Sequence, residues 1–198
     1  MVLSDQEIEK LVRDGDLIVP FDKERLQAVS YDVATSDVAR VYQRLNNPLV
    51  LKKDSLLVQS PLEQETIEVD ISKGYHIKPG EYVLIKTKER FSMPDNLTAR
   101  IRPRTTFSRV GLLLFDQHLN PSFHGHLYLG LYNVTPNVIV IYPDVAVGQI
   151  VFETVEGEIS NDRLYRNKPN AKYQDESGFI VPKLDKKIND LMNKVLEE

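Results

Sequence analysis

Arg102, Arg104 and Arg109 bracket the hydroxyl pair Thr105-Thr106. The residues that follow alternate apolar and polar between turn signals at Asn120-Pro121, Gly125, Asn133, Pro136 and Pro143-Asp144. A guanidinium group grips an oxyanion through parallel N–H···O bonds and hydroxyls add neutral donors, so these residue types on a β framework suit a phosphate. On residue types alone the same arginines also suit surface ion pairs, and both readings stand at this point. Asp116 and His118 form an acid–histidine pair able in principle to move a proton, with a solvated loop aspartate as the plainer reading. His124 and His126 flank Gly125 at strand spacing, but no third ligand accompanies them, so no metal held by protein side chains is expected.

Composition narrows the chemistry. The chain has 198 residues, 41% hydrophobic and 27% charged, which is enough for a core and predicts a single domain over 1–198. Its net charge of −4 and pI of about 5.6 leave no basic excess for a nucleic-acid backbone, so the local arginines point to a small anion. There is no cysteine, which removes disulfides, cysteine-ligated zinc and the zinc route to nucleobase deamination. The first ten residues are too acidic and too polar for a signal peptide, and no apolar run reaches the length of a membrane span; a cytoplasmic location and no membrane partner are expected.

The elements that must position these residues are mostly strands. Ser4-Asp5-Gln6-Glu7 reads as a capping box, with Leu3 and Ile8 as its hydrophobic staple, and opens a short helix that ends at Gly15. Strands are predicted at 17–20 and 26–33, shorter ones at 49–51, 56–58 and 67–69, and two more on either side of the Pro79-Gly80 turn. Many short strands between regular turn signals argue an all-β barrel or jelly roll. Residues 162–182 read as a polar arm. In 183–198, Leu184, Ile188, Leu191, Met192, Val195 and Leu196 fall at helical spacing, an amphipathic helix suited to packing on the body or on another subunit.

The order of the motifs resembles the dCTP deaminase and dUTPase superfamily. Arg104-Thr105-Thr106 through Arg109 and Gly111-Leu112 resembles its R-S-S-x-x-R-x-G-L, and Asn120 to His126 its D-P-G-F-x-G-H. Leu129 to Asn133 resembles L-E-x-x-N, and Val147 to Phe152 I-G-Q-L-x-F. Leu3-Ser4-Asp5, Ser30-Tyr31-Asp32 and Pro79-Gly80-Glu81 match in the same order. Tyr165 with Lys172-Tyr173 is similar to the arm that closes over a nucleotide triphosphate. The resemblance implies a distorted β barrel of the dUTPase type, a homotrimer with sites at subunit contacts, and dCTP or dUTP as ligand with Mg²⁺ on the triphosphate. It implies Arg104, Thr105, Thr106, Arg109, Asn120, Tyr165, Lys172 and Tyr173 as nucleotide-binding residues, and structural roles for Gln149 and Asp32 or a site role for the latter.

The same resemblance exposes two losses. The position of the deaminase glutamate, which activates water, is Gly130, and the position of the dUTPase aspartate is Asn120. Glycine cannot move a proton and asparagine is no base, and such catalysis is worth about 10²–10⁴-fold. Glu176 stands where the deaminases carry a glutamine that contacts the triphosphate, and a carboxylate repels phosphate. The expected function is therefore dCTP deamination to dUTP, with or without a further step to dUMP, or dUTP diphosphatase action, with a rearranged site and Asp116 as candidate acid. The alternative is an inactive trimeric nucleotide-binding or regulatory protein. Restoring Gly130→Glu is expected to produce deamination if the remaining site is intact.

Overall fold

The computed structural model describes residues 1–44, 66–168 and 171–179. The strands expected at 49–51 and 56–58, and the helix expected at 183–198, lie outside the described residues. Helix α1 (Asp5–Gly15) forms as its sequence dictates: the Ser4 hydroxyl accepts from the Glu7 N–H at 3.4 Å, and Leu3 and Ile8 are both buried. It stops at Asp16, which takes the left-handed conformation and donates its N–H to the Val12 carbonyl.

Among the described residues twelve strands follow. They are β1 (Ile18–Val19), β2 (Leu26–Gln27), β3 (Ser30–Tyr42), β4 (Thr66–Asp70), β5 (Tyr75–Ile77), β6 (Tyr82–Ser92), β7 (Leu97–Pro103), β8 (Leu112–Leu114), β9 (Gln117–Leu119), β10 (His124–Asn133), β11 (Ile139–Ile141) and β12 (Ala146–Thr154). Ten form one antiparallel sheet with the path β8-β10-β6-β3-β12-β7-β9, β1 adding to β6 and β2 and β4 to β3; β11 and β5 pair separately. The sheet curls into a half-barrel, the mainly β, dUTPase-like fold expected. Among the described residues no helix is long and apolar enough to cross a membrane.

Two local readings change. The run 26–33 is a hairpin rather than one strand: β2 turns at Ala28-Val29 and returns as β3, with Gln27 opposite Ser30. Its β-branched and aromatic residues hide a two-residue turn whose Val29 is left exposed. The arginine-threonine segment is not extended either. After Pro103 ends β7, Thr105–Arg109 forms a short helix, α2, which places Phe107 against the core and leaves Thr105, Thr106 and Arg109 exposed.

Inward positions alternate along β6 and β7. Val83, Ile85 and Phe91 of β6 meet Leu97, Ala99 and Ile101 of β7, and Ile150 and Phe152 of β12, in one core. Each large side chain so buried stabilises the fold by about 1.5–3 kcal/mol. Strand β10 is buried on both faces from Leu127 to Leu131, because the core covers one side and the side chains of Tyr82 and Phe179 lie over the other. Asn133 closes its end: the amide donates to the carbonyls of Ile77 and Asn137, and its oxygen accepts from the Thr135 N–H.

Candidate functional site

The cleft has a volume of about 530 Å³. Its floor is the outer face of β10 and β6, with Tyr128, Tyr82 and Leu84; Gln117, His118 and Asn120 bound one side, and Tyr42 at the end of β3 another. The arm closes the remainder with Tyr165, Tyr173, Glu176 and Phe179.

The described part of the arm is strapped down by backbone hydrogen bonds. Tyr165 donates its N–H to the Pro121 carbonyl, Asp175 to that of His124, and the His126 N–H donates to Glu176 at 2.9 Å. Gly125 makes the close approach possible, since its φ of 147° and the Glu176 nitrogen 2.9 Å from where a Cβ would sit both exclude a side chain. The Tyr165 hydroxyl accepts from the N–H groups of Lys172 and Tyr173, folding the arm back on itself. Lys86 donates to the Ser177 carbonyl, and Phe179 packs edge-on against Tyr128 with the Arg40 guanidinium 4.4 Å from the Phe179 ring centre.

Beneath the floor, Gly130 of β10 pairs with Leu84, which makes Tyr82 its diagonal neighbour on the adjacent strand. The phenol of Tyr82 lies over the glycine. A Cβ on Gly130 would sit 2.8 Å from the Tyr82 ring and still closer to its hydroxyl. The ring is held by Phe115 at 5.5 Å and Tyr42 at 5.7 Å between centres. Burial, and then the Tyr42 phenol, push the Tyr82 hydroxyl above its ordinary pKa, so it stays neutral.

The structure divides the expected nucleotide-binding residues into two groups. Asn120, Tyr165 and Tyr173 line the cleft, and Lys172 is tied to Tyr165 through its backbone. Arg104, Thr105, Thr106 and Arg109 do not line it. Arg104 donates to the Ala146 carbonyl at 3.0 Å and pairs with Asp32 at 3.3 Å. Asp32 is buried, and burial raises its pKa in spite of Arg104; Gln27 also reaches it. Gln149 accepts from the Ser30 hydroxyl between β12 and β3. Asp116 is held by Arg102 at 2.5 Å and lies outside the lining, whereas His118 is within it.

His124 and His126 turn to separate partners, His124 to Asp175 at 2.7 Å and Arg90 at 2.8 Å, His126 to the Thr87 carbonyl at 3.1 Å. Among the described residues no three His, Cys, Asp or Glu side chains gather as a metal cluster would require. Tyr82, Tyr128, Gln117 and Phe179 are site residues that motif reading passes over. The one available signal was Gly130 itself, because a glycine in the middle of a buried strand asks what fills its place.

Residues 2–155 match the family described as dCTP deaminase-like. The dUMP-forming dCTP deaminase of Corynebacterium glutamicum strain R is 34% identical over 181 residues, spanning 90% of this chain and 93% of that protein. The dCTP deaminase of Marinomonas sp. strain MWYL1 is 32% identical over 188 residues, 91% and 96% of the two chains. Among solved structures, the 2'-deoxycytidine 5'-triphosphate deaminase from Agrobacterium tumefaciens superposes with a TM-score of 0.62 at 22% identity. That likeness, which is one of fold, covers 81% of this chain and half the length of the solved one.

Proposed function

The chain belongs to the dCTP deaminase-like family of nucleotide metabolism, and from that membership we propose that its cleft binds dCTP or dUTP without turning it over through position 130. The observation that carries this reading is the seating of Tyr82 over Gly130. A neutral phenol fills the space in which a carboxylate would have to work, and a neutral phenol does not activate water. In this reading Asn120, Tyr165 and Tyr173 enclose the nucleoside, with Lys172 beside them on the arm. Arg104, Thr105, Thr106 and Arg109 hold the phosphates.

Because α2 does not line the cleft of its own chain, the reading includes a homotrimer in which the α2 segment of one copy completes the cleft of the next. Mg²⁺ enters on the triphosphate oxygens, the hard ligands that suit it. A cytoplasmic site of action goes with that ligand. Turnover, to dUTP or dUMP, has one observation on its side: Glu176 brings a buried carboxylate into the cleft from the arm.

The test is chromatographic analysis after long incubation of the purified protein with dCTP and with dUTP, each with Mg²⁺, alongside calorimetric binding. Both nucleotides are expected to bind, less tightly to Arg109→Ala, and to be recovered unchanged. New dUTP or dUMP that disappears with Glu176→Gln would establish the turnover reading instead.

A further inference from the structure

The Tyr82 hydroxyl is a polar group with no assigned task. It opens on the cleft, and it makes no hydrogen bond among the described residues. Its ring is fixed from two sides by Phe115 and Tyr42, so the hydroxyl is presented at a defined point above Gly130 rather than sweeping the cleft. A hydroxyl held this way loses little entropy on gaining a partner. Two neutral amides, Asn120 and Gln117, line the same cleft, the latter orienting its NH₂ group onto the Tyr128 carbonyl at 2.6 Å and leaving its own oxygen as an acceptor. A phenol and two amides both donate and accept. They match a flat, uncharged ring whose edge carries donors and acceptors side by side, and the surrounding aromatic faces match the ring's own.

We infer that Tyr82 is the specificity-determining residue of the cleft: its hydroxyl hydrogen-bonds the polar edge of the ligand's base, and Gly130 is the residue that makes room for it. This rests on the reading of the cleft as a pyrimidine nucleotide site. It adds that the base is recognised by a neutral donor-acceptor group at the point nearest β10, and that the pair Gly130 and Tyr82 works as a unit. Removing the Tyr82 ring alone leaves a hole, and adding a side chain at position 130 alone makes a collision.

The experiment compares wild type, Tyr82→Phe and Arg109→Ala by calorimetry with dCTP, dUTP and inorganic tripolyphosphate, with Mg²⁺ present. Tyr82→Phe keeps the ring and its contacts, so the melting temperature is expected to stay unchanged. Kd for the preferred nucleotide is expected to rise about three- to tenfold, the worth of one hydrogen bond, with no change for tripolyphosphate. Arg109→Ala is expected to weaken nucleotide and tripolyphosphate alike. If Tyr82→Phe binds both nucleotides as tightly as wild type, or loses tripolyphosphate to the same degree, the assignment is overturned while nucleotide binding stands. If wild type binds neither nucleotide, both readings fall together.

Discussion

At the scale of single residues, Gly130 and Tyr82 decide what can be done to this site. The glycine does not take a positive φ, and the atoms nearest to a Cβ built there all belong to Tyr82, so that side chain is what first resists a substitution. A Gly130→Glu side chain must push that ring away from Phe115 and Tyr42, an overpacking that costs about 1–3 kcal/mol. The single variant is therefore expected to unfold at lower denaturant than wild type and to leave dCTP intact. Deamination is expected only from Gly130→Glu combined with Tyr82→Ala, which empties the space. Product chromatography and urea midpoints on both variants check this; a single variant of wild-type stability that makes dUTP sinks it. The loss of the carboxylate was legible in the sequence. What replaced it was not, since Tyr82 lies 48 positions away in the chain and meets Gly130 only through the β6–β10 register.

At the scale of elements, β6 carries the least expected feature of the fold. Its inward face continues past Ile85 into Thr87 and Glu89, and the Glu89 carboxylate, 1% exposed, accepts from the Ala34 N–H of β3 at 3.0 Å. Burial pushes its pKa up to about 7, against that hydrogen bond and the more distant Arg25 and Lys88. The folded chain thus holds a proton that the unfolded chain releases near pH 4.5. Stability from this group is full below the unfolded value and is lost as the pH rises through 7, on the order of 2–3 kcal/mol between pH 5 and pH 8. Denaturant titrations at those two pH values should show the loss in wild type and not in Glu89→Gln, whose amide oxygen can still accept from Ala34. An equal loss in both proteins excludes Glu89 as its source. The Pro79-Gly80 turn marked where β6 begins, and capping chemistry revealed α1, because both signals are local. The β2–β3 hairpin and the helical turn of α2 were hidden, because pairing with β12 and the seating of Phe107 in the core settle them, and both are long-range.

At the scale of the whole molecule, the two halves of the expected site do not meet within one chain, and the surface beside the arginine segment is apolar. Val110, Leu113, Phe115 and Val134 are each 40–53% exposed, on the edge strand β8 and the turns next to it. They are neighbours in space as well: Leu113 pairs with Tyr132, and the Val134 N–H donates to the Gly111 carbonyl. An edge strand with outward Leu and Phe beside it invites pairing or burial against another chain. Covering this patch and bringing α2 to a neighbouring cleft are requirements that one assembly can meet. Light scattering of the purified protein is accordingly expected to give about three times the 22.7 kDa chain mass. Leu113→Glu, a charge on the outward face of β8, is expected to shift the mass to that of one chain and to weaken nucleotide binding at least tenfold, while circular dichroism keeps its β signature. The two readouts must move together. A wild-type monomer that binds dCTP tightly would mean that α2 serves no cleft but its own, and the arginines would return to the surface ion pairs with which their spacing is equally consistent.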